Sequence, residues 1–265
     1  MGRHGFSLIE LLVVIAIIAL LLGVLSPSLW SARQQAQGVV CSSNIKQLSF
    51  ALTVYEQSHG GFPNGLDDRP GLATPVGGYP GDSLYDKNGT WWFHQLDGVI
   101  SDPLARDSAT WCASRKVKDT GLIANILLGN YGVNRAICMD ARGLAGCAFV
   151  GRPLTSAHVP HPAAALLVAD SGYSLISWQA AADNVLQRAE NHEKREMEMY
   201  VPGLSINGNR AFSPACEEDA LEGRHRGRIV NVGYADGHID SVPAETLLVE
   251  DVGGRWRNRS PLWLP

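Results

Sequence analysis

From Phe6 to Leu25 the chain runs apolar for twenty positions, broken only by Ser7, Glu10 and Gly23. Coiled as an α-helix at about 1.5 Å per residue, such a run spans roughly 30 Å, the thickness of a bilayer's hydrocarbon core. Ser26-Pro27-Ser28 closes the run, yet a helical period continues beyond it. Leu29, Ala32, Ala36, Val40, Ile45, Leu48, Leu52 and Tyr55 recur every three to five residues, with Arg33, Gln34, Gln35, Gln37, Ser42, Asn44, Lys46 and Gln47 between them. That spacing puts an apolar stripe on one helix face. The pattern predicts one helix from Phe6 to about Gln57, kinked or locally melted near Pro27 and stopped by Gly60-Gly61-Phe62-Pro63. Its first half is apolar all round; its second half presents a stripe to a following domain.

Beyond the helix the pattern shortens. Residues 60–90 are rich in Gly, Pro, Asp and Asn and predict a long surface loop. Trp91-Trp92-Phe93-His94-Gln95-Leu96 predicts a short helix or turn whose aromatics fill a core. Ala163 to Asp170 reads as a buried strand, and the charged stretch Asp183 to Glu198 as a solvent-facing helix or loop. Arg228 to Ala235 and His238 to Val242 flank Asp236-Gly237, which predicts two antiparallel strands joined by a two-residue type I′ turn. The elements together predict an α+β fold.

Composition narrows the class. The chain has 265 residues and a net charge of −4, and its pI of about 6.0 offers no basic footprint for nucleic acid. The roughly 200 residues past the helix suffice for one globular domain with its own core. The five cysteines are Cys41, Cys112, Cys138, Cys147 and Cys216. None form a CxxC pair, which argues against a structural zinc site. An odd count leaves at least one free or bonded outside the chain. Arg3 at the N-terminal flank keeps that end cytoplasmic, so the domain lies outside the cytoplasm, where thiols are exposed to oxidation.

Glu10 carries the sharpest functional signal. A carboxylate within a membrane segment is costly and calls for a partner. Cutting the chain between Gly5 and Phe6 would supply one, because the new α-amine of Phe6 could meet the Glu10 carboxylate of a neighbouring subunit. Gly5-Phe6-Ser7-Leu8-Ile9-Glu10 in fact resembles the processing site of type IV pilins and type II secretion pseudopilins. The short leader with Arg3 and His4 and the long apolar run complete the resemblance. It implies a pilin-like α+β fold: a long helix packed on a small antiparallel sheet with long loops. Residues 1–5 would be a cytoplasmic leader, 6–25 the transmembrane and later filament-core helix, 26–58 its amphipathic half, and 59–265 the extracytoplasmic globular domain. It further implies cleavage after Gly5, N-methylation of Phe6, and subunit registration by Glu10. The implied partners are further copies of the chain, a prepilin peptidase and methylase, the membrane, and an inner-membrane assembly platform. The implied location is the inner membrane and then a periplasmic or cell-surface filament. No cofactor and no catalytic residue are implied.

The far end carries a second resemblance. His225, followed after ten residues by Asp236-Gly237, resembles the C-terminal signature of a bacterial prepilin-like family named for a histidine, nine residues and Asp-Gly. This chain has one residue more. Cys41-Ser42-Ser43-Asn44-Ile45-Lys46-Gln47-Leu48 and Tyr131-Gly132-Val133-Asn134 fit the same family. Its pattern suggests a disulfide from Cys41 to Cys112; Cys138 and Cys147 are the next candidate pair, which leaves Cys216 single, and the sequence does not fix this connectivity. His225, Asp236, His238 and Asp240, with His158 and His161 as additional candidates, are the candidate set for a metal ion or acid–base chemistry. The simpler expectation is that Asp236 serves the turn and His225 a backbone group. Two other classes compete with the filament subunit: a membrane-tethered binding module and a metal-dependent enzyme. Neither accounts for Glu10.

Overall fold

The computed structural model describes residues 8–67, 69, 89–118, 123, 125–141, 149–183 and 199–265. Gly5, Phe6, Cys147, most of the expected 60–90 loop and most of the 183–198 stretch lie outside the described residues.

Helix α1 (Leu8–His59) is continuous over 52 residues and includes Pro27. A proline inside a helix removes one ladder donor. Neighbouring hydroxyls donate back into the ladder here, Ser26 Oγ to Leu22 O and Ser28 Oγ to Leu25 O, both at 2.8 Å. Of the kink or local melting expected at Pro27, the melting is absent, since the helix runs unbroken through it.

The docking face differs from the predicted stripe in its first turns. Leu29, Ala32, Ala36 and Val40 face outward. Burial begins at Cys41 and continues through Asn44, Ile45, Leu48, Ser49, Ala51 and Leu52. The reason is that the domain first meets α1 through hydrogen bonds. Gln37 Nε2 donates to Ala113 O at 3.2 Å and Asn44 Nδ2 to Trp111 O at 2.9 Å. A hydrophobicity period cannot register contacts made by amides.

The sheet that receives α1 has five strands: β3 (Tyr131–Asn134), β4 (Leu166–Asp170), β5 (Leu175–Ile176), β6 (Ile229–Tyr234) and β7 (Ile239–Pro243). Their order is β5-β3-β4-β6-β7. All pairs are antiparallel except β3 with β5, which is parallel, so the sheet is mixed rather than purely antiparallel. All five residues of β4 are buried, so both faces of the sheet centre are covered. Helix α1 approaches β6 closely at Gly233, where a Cβ would collide with Ser49 Oγ. Trp91, Trp92 and Phe93 are buried as expected, and Trp92 Nε1 donates to Ser174 O at 3.0 Å. Trp91 ends β2 (Thr90–Trp91), which pairs with β1 (Leu66–Asp67).

The β6–β7 hairpin forms, but its turn is not the two-residue one. Gly237 N donates to Tyr234 O and Tyr234 N to His238 O, both at 2.9 Å. Only Gly237, at φ 89°, has positive φ among the loop residues. Ala235-Asp236-Gly237 is thus a three-residue loop with a left-handed glycine. The two-residue turn with both central residues at positive φ lies further on. Gly253 and Gly254, at 62° and 80°, join β8 (Glu250–Val252) to β9 (Arg255–Arg257).

Candidate functional site

Two regions carry chemistry. The first is the N-terminal half of α1. Leu8, Ile9, Leu11, Leu12, Ile15 and their successors to Leu25 are all exposed, and none of the most apolar stretch is buried. By length and composition α1 is able to cross a membrane. Glu10 stands in the first turn on this surface.

The second region lies where α1 enters the domain. Residues 37, 41 and 44 fall on one helix face by their spacing of four and three. They meet three consecutive residues of a loop: Gln37 bonds the carbonyl of Ala113, Cys41 touches Cys112, and Asn44 bonds the carbonyl of Trp111. The two sulfurs are 2.8 Å apart and both are buried. Cys112 is further fixed by its own N–H, which donates to Asn130 Oδ1 at 3.0 Å.

His225 completes this neighbourhood. A ring nitrogen of His225 and the two sulfurs all lie within 4.8 Å of one another. Its Nε2 meets Asp170 Oδ2 at 3.1 Å, and Asp170 Oδ2 also accepts from Asn231 N at 2.7 Å. The carboxylate assigns the ring proton to Nε2. Nδ1 is buried without a hydrogen-bond partner among the described residues and faces α1 at Gly38, where a Cβ would lie 3.7 Å away. A groove of about 580 Å³ between α1 and the β6–β7 hairpin reaches His225 but is not lined by either cysteine. Beneath sits fully buried Arg224, bonded to Asp219, Asn130 O and Ser171 O and 3.8 Å from Asp170 Oδ1.

These contacts set the protonation states. Burial works to lower the His225 pKa, but the charge and hydrogen bond of Asp170 raise it on balance. Burial works to raise that of Asp170, and His225, Arg224 and the Asn231 N–H bring it below the ordinary carboxylate value. The hydrogen bond from Cys112 holds the Cys41 thiol down to about 6, against the effect of burial. Burial pushes the Cys112 thiol well up.

Donor geometry tests a metal reading of this cluster. Two thiolates on one tetrahedral zinc, each about 2.3 Å from the ion, sit roughly 3.7 Å apart. The observed 2.8 Å separation is sulfur against sulfur, with no room for both to share an ion in this arrangement.

The other predicted residues are scattered. Asp236 and His238 pair at the exposed hairpin tip, Oδ1 to Nδ1 at 2.5 Å, at the far end of β6 from His225. Asp240 is exposed on β7, and His158 bonds Thr155 Oγ1 at 2.9 Å. The hairpin does not bring His225, Asp236, His238 and Asp240 together. Cys138 is buried; its expected partner lies outside the described residues. Sequence reasoning missed Asp170 and Asn231 as the partners of His225. The end of a buried strand in an acidic residue, beside an Asn at an interior strand position, was the available signal.

Comparison with known proteins bears on the N-terminal region. Residues 1–26 match the family described as the prokaryotic N-terminal methylation motif. Type II secretion system core protein G of Pseudomonas aeruginosa is 29% identical over 87 residues, covering 33% of this chain and 61% of that protein. The chain thus spans less than two thirds of that relative's length. No solved structure matches the chain. Neither match is to an enzyme, and motif and relative together support a pilin- or pseudopilin-like subunit.

Proposed function

We propose that this chain is a structural subunit that is cut between Gly5 and Phe6, N-methylated on Phe6, and assembled into an extracytoplasmic filament of the type IV pilus or type II secretion pseudopilus kind. The observation that carries the reading is a coincidence. The methylation motif at residues 1–26 heads a helix whose apolar half is left bare by its own domain. On this reading the subunit waits in the inner membrane by a single span over residues 6–25, with the domain outside. A prepilin peptidase and methylase act on the leader, and an inner-membrane assembly platform moves subunits into the filament. Self-association exchanges lipid for neighbouring helices around the same surface.

Glu10 then acts in register. A buried charge pair adds little net stability, but an unpaired buried charge costs several kcal/mol. The Glu10 carboxylate facing the Phe6 amine of a neighbour therefore selects one axial position. Intact mass and N-terminal sequencing of protein sheared from the cell surface test the reading. A chain beginning at methylated Phe6 in filaments is expected. A chain beginning at Met1 and confined to membranes would replace the reading with that of a tethered extracytoplasmic module. Glu10→Ala and Glu10→Leu are expected to insert normally and lose filaments, and normal filament yield would refute the pairing. Gly5→Leu is expected to trap the uncut precursor.

A further inference from the structure

We propose that Cys41 and Cys112 are joined by a disulfide that fastens the second half of α1 to the domain. The inference rests on the extracytoplasmic placement above for its oxidising compartment, and on the local geometry for everything else. Three consecutive loop residues are matched to one helix face, and the two amide hydrogen bonds on either side hold the sulfurs against each other. From 2.8 Å, the sulfurs need to close by less than about 1 Å to reach bonding distance. Asn130 fixes Cys112 from the other side, and Arg224 in turn holds Asn130 O at 2.5 Å. Such a built register has no use for two idle thiols.

The chemistry balances as thiol–disulfide exchange with a dithiol–disulfide oxidoreductase of the compartment. The Cys41 thiolate attacks the carrier's disulfide, forming a mixed disulfide and releasing one carrier sulfur. The Cys112 sulfur then attacks Cys41 and releases the second. The two protons and two electrons given up by the pair end on the carrier, which leaves as a dithiol. Both sulfurs are buried once α1 has docked, so oxidation belongs to the docking step, and the finished bond is shielded from reductants.

The staple has a mechanical consequence. Val40 is exposed and Cys41 is fully buried, so the bond sits at the first turn where α1 gains cover. It would be the covalent tie behind the Arg226–Ser31 and Gln37–Ala113 hydrogen bonds, which a pull along the bare half of the helix meets first. The two sulfurs are 71 residues apart in sequence, and closing a loop of that length constrains the unfolded chain strongly.

The test uses the full chain in detergent, isolated from membranes without reductant, and read by peptide mapping alongside its N-terminal sequence. The expected result is a Cys41–Cys112 cross-linked peptide, lighter by two hydrogens, that resists dithiothreitol until the protein is unfolded. Cys41→Ser, Cys112→Ser and the double variant are expected to lower Tm equally, by roughly 10–20 °C, and Cys216→Ser to leave the cross-link in place. A second arm equilibrates reduced protein with oxidised and reduced glutathione, which tests the pairing wherever the chain resides. Alkylation of both thiols after that equilibration would overturn the proposal. So would stoichiometric zinc with both thiols retained. A cross-link formed in glutathione by a chain that begins at Met1 would uphold the staple and count against the proposed processing.

Discussion

Leu48 and Phe50 lie two residues apart on α1 and separate folding from assembly. Leu48 is 0% exposed against the sheet, whereas Phe50 is 68% exposed on the opposite side. Truncating Leu48 to alanine removes a fully buried side chain and leaves a cavity, at a cost of about 2–5 kcal/mol. For a domain of this size each kcal/mol lowers Tm by about 2–4 °C, so Leu48→Ala is expected to lower it by roughly 4–20 °C. Phe50→Ala deletes a larger side chain but one already mostly in solvent, and its effect on the isolated chain stays within about 0.5 kcal/mol. Thermal unfolding of the detergent-solubilised chain, followed by near-ultraviolet circular dichroism, measures both. On the proposed filament reading, Phe50→Ala nevertheless reduces filament yield, because Phe50 joins Leu29 and Val39 on the face the domain leaves bare. Equal Tm losses in the two variants would refute the docking phase of α1. An unchanged Tm for Leu48→Ala would refute the packing itself.

Three further outcomes follow from individual contacts. His225 has its pKa raised on balance by Asp170, with Cys41 and Arg224 the other charged neighbours. Its stabilisation is therefore complete below the ordinary histidine value of about 6.5 and is lost as pH rises through the folded value. The stability gap between wild type and His225→Gln, measured by denaturant titration, should narrow from pH 6 to pH 9, and a constant gap would refute the pairing. Gly233→Ala forces a Cβ onto Ser49 Oγ and should cost about 1–3 kcal/mol; adding Ser49→Ala should restore part of the lost Tm, and strict additivity would count against the close approach. Gly237→Val places a β-branched residue at φ 89° and should destabilise the hairpin by about 1–3 kcal/mol, seen as faster hydrogen exchange in β6 and β7.

How much of this was readable from sequence depended on what carried each contact. The long helix, the buried strand at Leu166–Asp170 and the β6–β7 pair were legible because apolar burial leaves a period or an unbroken run. The docking phase of α1 before Cys41 was not, because polar side chains make those contacts, Ser31 with Arg226 and Gln37 with Ala113 O. The Asp236-Gly237 turn was placed correctly and typed wrongly. Ala235 joins the loop, and only the backbone pairing of Tyr234 with His238 reveals that. The β8–β9 hairpin was missed although Gly253-Gly254 announces it, since the strands beside it are three residues each. At the thiol cluster the resemblance named Cys41 and Cys112 as partners. The union of His225 with Asp170 depends on pairing β4 to β6, a long-range register that no local pattern encodes.

The continuity of α1 joins two environments that obey different rules. Fourteen large apolar side chains between Leu8 and Leu25 are exposed, and covering them is worth on the order of tens of kcal/mol. The domain leaves them bare, and on the proposed reading lipid or neighbouring copies of the chain cover them. Lipid tails and neighbouring leucines are nearly equivalent as apolar surroundings, which means that hydrophobicity alone gives no preference for one over the other and sets no axial position. Polar groups must decide, and Glu10 is the ionisable side chain on that surface. From Gln37 onward the helix is held by named contacts, two amide bonds and two touching sulfurs, before the apolar stripe takes over. The lower half is thus free to exchange partners because it is bound only by area. The upper half cannot, because it is bound by register.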